Sequence, residues 1–242
     1  MIEGPAEMLA RYRNTLGKNF GEYFYYLNQA TFELVGVWDV YRSFFGTNEQ
    51  RVNLLNRASG YVTSVIQDTL HERVILGICQ LTDPENSRGL RNLTVTGLPS
   101  FIDETIYREE IAVMCKSARD STSFARDLRN KLIAHSDFAA KSGSQQIEYS
   151  SRLKIFKAIT AIIKPLRHIH RKSFDSFQFY HAIHPSPDEN MFLKCIHLGV
   201  EQMEIEKSDL NILNYSKRQF PDWLEVRNQD EFDSGFISNI NS

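Results

Sequence analysis

Between residues 22 and 45, apolar side chains fall at Leu27, Ala30, Leu34, Val37, Trp38, Tyr41 and Phe44. This three-and-four spacing sets one stripe of a helix against a core. Gly46, Thr47 and Asn48 stop that helix and can cap the next. A second, longer helix is predicted over 48–81, with a stripe of Leu55, Ala58, Val62, Val65, Ile66, Leu70 and Val74. Gly60 and Gly77 each weaken it by ~1 kcal/mol relative to alanine, so packing must outweigh them. LTDPEN ends it, because Pro84 has no amide donor and restricts the backbone of Asp83.

SRGLRNLTVTGLP reads as a loop containing Arg88 and Arg91. A third helix is predicted over 102–118. After the break RDSTS comes a fourth, capped by Ser121 or Ser123 and carrying RDLRNKLIAHSD. AAKSGSQQ is a further loop. A fifth helix is expected over 150–171, with Phe156, Ile159, Ile163, Leu166 and His170 inward. Pro165 inside it predicts a kink one turn upstream. Past Phe174 the pattern weakens. FQFYHAIHPSPDEN fits strand, loop or short helix, MFLKCIHLGVEQMEIEK suits a helix, and the last fifteen residues read as a polar tail. The fold class expected is all-α: an antiparallel bundle of about five main helices over residues 1–174. An appendage of open structure follows over 175–242.

Composition supports a globular chain: 242 residues, 42% hydrophobic, enough for one large domain or a domain with an appendage. A net charge of −2 excludes a strongly basic protein, but the charge is uneven. Seven Lys or Arg and no acid lie between residues 152 and 172, whereas residues 182–242 carry eleven acids against five bases. On a helical wheel Lys157, Lys164, Arg167 and Arg171 lie opposite the apolar stripe. Such a face can track an RNA backbone, although a solvated face balanced by the acidic region is the plainer account. Arg88 and Arg91 are read the same way.

Cys79, Cys115 and Cys195 form no CxxC pair, which argues against a disulfide framework and a thiolate zinc site. The start of the chain has no signal-peptide pattern, and VILGIC and AITAII fall far short of the ~20 apolar residues a membrane helix needs. A soluble protein of the reducing cytoplasm is expected, without a membrane partner. There is no HExxH, GxSxG, GxGxxG or phosphate-loop motif. His168 and His170 are two apart and point to different helix faces. No metal or cofactor is expected.

The remaining chemistry lies in RDLRNKLIAHSD, residues 126–137. On an ideal helix Phe124, Leu128, Leu132 and His135 share one side, and Arg129 lies about 120° from His135. Six residues is the wrong spacing for one face. Spacing alone therefore favours an ordinary account: a packed histidine, with Arg126 and Arg129 paired to Asp127 or Asp137. A second copy of the helix across a two-fold axis would bring arginine and histidine together.

RNKLIAH nevertheless resembles the HEPN pattern, an arginine, a polar residue, then a histidine after four to six residues. With the helix ending LTDP, then LRNLTVTGLPSFID, then RDLRNKLIAHSD, the chain resembles the AbiU-type HEPN family of abortive phage infection over residues 20–172. The resemblance implies an all-helical bundle that dimerises through the motif helices. It also implies a metal-independent RNA endonuclease acting as a toxin or defence effector, with an antitoxin protein as a partner. Carried over residue by residue, Arg129, Asn130 and His135 form the motif. Arg126 and the basic face would contribute RNA contacts.

These residue types suit that chemistry. An imidazole with a pKa of ~6.5 can take a proton from the RNA 2′-OH. An arginine can grip phosphate oxygens as charge builds. Asn130 could orient either group. Many HEPN relatives are inactive, so a non-catalytic module binding RNA or a partner protein stays open. So does a structural role for His135.

Overall fold

A computed structural model of the chain describes residues 4–133, 150–176, 178–180 and 188–208. Those residues are overwhelmingly helical, as expected. The helices are α1 Pro5–Leu16, α2 Lys18–Phe45, α3 Glu49–Thr82, α4 Thr105–Asp120, α5 Ser123–Leu128, α6 Arg152–Phe174 and α7 Asp188–Ser208. Two-residue strands β1 (Asn86–Ser87) and β2 (Leu90–Arg91) pair antiparallel, with Asn86 opposite Arg91. A 3-10 helix follows over Val95–Phe101.

The chain divides into two compact units, residues 1–194 and 195–242. The first holds the bundle. α1, which the apolar pattern did not announce, turns back on α2 through Gly17 at φ 82°. It packs so closely that a Cβ on Gly21 would stand 2.3 Å from the carbonyl oxygen of Tyr12. Contacts between α2 and α3 run in opposite order along the chain: Glu33 with Arg73, Tyr41 with His71, Ser43 with Arg51. α6 runs against α4 in the same sense, through Glu104–Lys172 and Glu110–His168. The bundle is therefore antiparallel.

Caps follow simple chemistry. The Asn48 side chain accepts the Arg51 amide at 3.0 Å, and Ser151 accepts that of Lys154 at 3.2 Å. Ser121 and Ser123 were expected to cap α5, and neither does so. Thr122 holds that position, and both hydroxyls of the turn face backwards: Ser121 donates to Ala118 O and Thr122 to Arg119 O. The last carbonyls of α4 need partners, and these hydroxyls supply them.

The core joins Phe24, Leu27 and Val35 of α2, Val74, Ile75 and Ile78 of α3, Ile111 of α4 and Phe124 of α5 to α6, through Ile155, Ile162, Leu166 and Ile169. Each such side chain contributes about 1.5–3 kcal/mol on burial. Two sequence expectations fail here. Phe156 is exposed, and Ile155 takes its place one position earlier. In α3, Ala58, Val62 and Val65 are exposed while Thr63 is buried. The cause is a break: Ser59 is non-helical at φ −168°, ψ 108°, so one phase cannot run from Leu55 to Val74. α6, by contrast, continues through buried Pro165.

Polar groups also enter the core. His170 Nε2 lies 3.2 Å from the Tyr12 hydroxyl and 3.3 Å from Asn28 Oδ1, which also accepts from Tyr180. Burial, reinforced by the Arg11 charge, pushes the His170 imidazole down to about 4.

α7 begins inside the first unit, where Phe192 stacks on Phe44 at 5.4 Å and Asn190 accepts from Arg51 at 2.8 Å. In the second unit, described over 195–208, His197 pairs with Glu201 and Gln202 donates to Glu206. Among the described residues no helix is long and apolar enough to cross a membrane.

Candidate nuclease site

The candidate site starts at the end of α3. Pro84 forces Asp83 into an extended conformation, φ −64°, ψ 161°, and the helix stops. That leaves carbonyls without helical partners. Thr94 Oγ1 lies 2.9 Å from both Leu81 O and Asp83 O, and Thr96 Oγ1 donates to Asp83 O at 2.7 Å. Tyr23 of α2 fixes Thr94 in turn. Its hydroxyl accepts the Thr94 amide at 2.9 Å and lies 2.6 Å from Thr94 O and 3.0 Å from Asn92 O. Burial raises the Tyr23 pKa, so the phenol stays protonated and able to donate. The loop expected from the sequence is thus a pinned hairpin and 3-10 turn.

The backbone of Asp83 being so held, its carboxylate faces α5. After Leu128 the α-helical ladder gives way to a π turn over Arg129–Ile133. Such turns are often found at functional sites. Arg129 stands at its start. Nη1 reaches both carboxylate oxygens of Asp83, at 2.8 and 3.1 Å, and Nε donates to Asn130 Oδ1 at 3.2 Å. Nη2 has no partner among the described residues. About a quarter of each side chain of the Arg129–Asp83 pair is exposed, so the guanidinium is anchored yet reachable.

Arg126 turns inward, donating to Arg119 O and to Thr82 Oγ1, which also meets Thr122 Oγ1 at 3.1 Å. Lys131 pairs with Asp127 at 2.7 Å. Asp127, one expected partner of the arginines, pairs with Lys131, Asp83 pairs with Arg129, and Asp137 lies outside the described residues. Cys79, one turn before Asp83, is fully buried, and burial raises its thiol to about 11 against the opposing effect of Arg129. It is no nucleophile at neutral pH.

His135 lies outside the described residues, as does the expected loop over 139–146. The π turn also departs from the ideal wheel: its wider turn shifts residues 130–133 relative to Phe124 and Leu128. Both of those remain buried.

On the basic helix, Lys157, Lys164 and Arg171 are exposed. Arg167 is part-buried, donating to Gln178 O at 3.3 Å and facing the Tyr180 ring. Arg91 binds Glu85 and Ser100 and covers Phe101 at 4.1 Å, so it is committed to the hairpin. Arg88 sits at the hairpin tip with φ 53°. Sequence reasoning missed Asp83, Thr82 and Tyr23. The signal for Asp83 was present, an acid between a helix end and a proline.

The fold is a helical bundle in which a long helix delivers an acid, Asp83, to Arg129. A family model described as HEPN_AbiU2 (AbiU2) matches residues 17–190, and the chain belongs to that family. Neither curated proteins nor solved structures give a match.

Proposed function

We propose that this abortive-infection HEPN domain is a metal-independent RNA endonuclease acting as a toxin or defence effector, through Arg129, Asn130 and His135. The observation that carries the proposal is the Arg129 guanidinium, fixed by Asp83 and Asn130 and about a quarter exposed. A pre-set cation of this kind lowers the energy of a charged transition state without reorganising. The RNA 2′-oxygen attacks the adjacent phosphorus while His135 accepts its proton. Arg129 holds the phosphoryl oxygens, and the 5′-oxygen leaves with a proton. The products are a 2′,3′-cyclic phosphate and a 5′-hydroxyl, and because the nucleophile belongs to the RNA, no metal has to generate one. Two copies of the motif helix, related by a two-fold axis, supply arginine and histidine to one cleft.

The test is RNA cleavage in EDTA by wild type, Arg129→Ala and His135→Ala. Each variant loses about 10²–10³-fold in rate if the residue acts on the transition state. Equal cleavage by all three rejects the reading. The second reading, a non-catalytic module that binds RNA or a partner such as an antitoxin, is favoured by the same ion pair, because Asp83 offsets the charge of Arg129. It predicts RNA or partner binding without cleavage, unaffected by His135→Ala.

A further inference from the structure

Behind Asp83 lies a cavity of about 310 Å³ between α2 and α3, closed at one side by Asn92 and Leu93. Leu34 and Val37 of α2 and Gly77 and Leu81 of α3 give it apolar walls. The helices approach closely there: a Cβ on Gly77 would stand 3.0 Å from Leu34 Cδ1. Glu33, Arg73, Gln80, Asp83 and Asn92 supply polar groups, with Arg73 paired to Glu33 at 3.7 Å. Their bonding leaves specific valences. Gln80 Oε1 accepts from Arg73, leaving its amide N–H groups, and Asn92 Nδ2 donates to Pro84 O at 2.7 Å, leaving Oδ1. Asp83 accepts from Arg129. The cavity therefore offers apolar faces edged by donors and acceptors.

We propose that this cavity receives one unpaired nucleobase of the RNA whose phosphate Arg129 grips, an inference that rests on the nuclease reading. A base has two apolar faces and a polar edge, and protein recognition of single-stranded RNA works by enclosing such faces and bonding that edge. Every base presents a donor beside an acceptor on its edge, which the Gln80 N–H groups and Asn92 Oδ1 can complement. The volume sits at the small end of ligand pockets, enough for one base and not for two stacked nucleotides. Asp83 is common to both places: it lines the cavity and lies 2.8 Å from the guanidinium. A phosphate on Arg129 thus brings its own nucleoside to the cavity mouth. Substrate choice would then be set at a single unpaired position beside the scissile bond.

The test uses the full chain and a 2′-O-methyl oligoadenylate, which lacks the nucleophile, beside the same strand with abasic sites. Wild type should bind the base-bearing strand roughly tenfold tighter, the scale of one enclosed base. Ala30→Phe, which fills the cavity, and Gln80→Leu, which removes the donor from an exposed position, should erase that preference while abasic affinity stays. If both variants keep the preference while Arg129→Ala weakens binding to both strands, the base site is wrong and the nuclease reading stands. If no strand binds, adenosine monophosphate decides. Its binding to wild type and not to Ala30→Phe keeps the base site and removes the RNA reading; no binding removes both.

Discussion

Both carboxylate oxygens of Asp83 lie against a single nitrogen, Nη1, of Arg129, 46 residues further along the chain. The contact ties the end of the longest helix to the start of the motif, and it is legible in neither segment alone. Because both side chains are partly exposed, it is worth little as stability. Its effect is positional: it restricts the rotational freedom of the guanidinium.

A double-mutant cycle on Asp83→Ala and Arg129→Ala should therefore give a coupling energy of about 1 kcal/mol or less in urea unfolding. RNA cleavage by Asp83→Asn should nevertheless fall clearly, with the loss in kcat rather than KM. A loss confined to KM would count against a positioning role.

Gly21→Ala should be severe. Its Cβ would meet backbone atoms of Tyr12 and Arg13 within 2.6 Å, and backbone cannot turn aside as a side-chain end can. Overpacking of this kind costs about 3 kcal/mol. Gly77→Ala, which meets only Leu34 Cδ1 at 3.0 Å, should cost less. Thermal unfolding of the two variants ranks them.

His170 should make the bundle acid-sensitive. Its folded pKa is depressed to about 4, chiefly by burial, against 6.5 when unfolded. The unfolded chain then binds the extra proton between those values. The stabilisation is present above pH 6.5 and is lost as pH falls towards 4, by up to about 3 kcal/mol. Urea midpoints of wild type should fall across that window, and those of His170→Gln should fall less.

Lys157, Lys164 and Arg171 are exposed on the basic helix, as are Arg152 and Lys172. If the first three contact phosphates, replacing those three with Gln should lower the salt slope of single-strand binding by about 2. An unchanged slope would assign the face to solvent. Arg167→Gln should act on stability instead, through its bond to Gln178 O.

Native thiol titration should find one fast cysteine. Cys195 is exposed, whereas Cys79 and Cys115 are buried with pKa values raised to about 11 and 12. Two or more fast thiols would contradict the packing at the end of α3.

Local periodicity made much of this fold readable. The stripe from Leu27 to Phe44, the stop at Pro84 and the cap Asn48 depend on neighbours a few residues apart. What stayed hidden depends on distant partners. α1 is short and its buried Tyr12 packs on residues far along the chain, so its stripe carries little signal. The phase of α3 was misread because a single non-helical residue, Ser59, resets it. At the site, Arg129 and Asn130 were visible as a motif, while Asp83 was visible only as a helix terminator. Nothing in the sequence says that Tyr23 organises the hairpin beside it, since 71 residues separate it from Thr94.

The seam at Ser59 has a consequence for how this molecule opens. A hydrogen-bond ladder frays from its ends, and fraying stops where the ladder is already interrupted. The outer piece of α3, residues 49–58, in which only Leu55 is buried, can exchange its amide protons without loosening the stretch from Val74 to Asp83. α3 should therefore open as two units joined at a kink: a labile outer piece and a protected inner one whose tip presents Asp83 to Arg129.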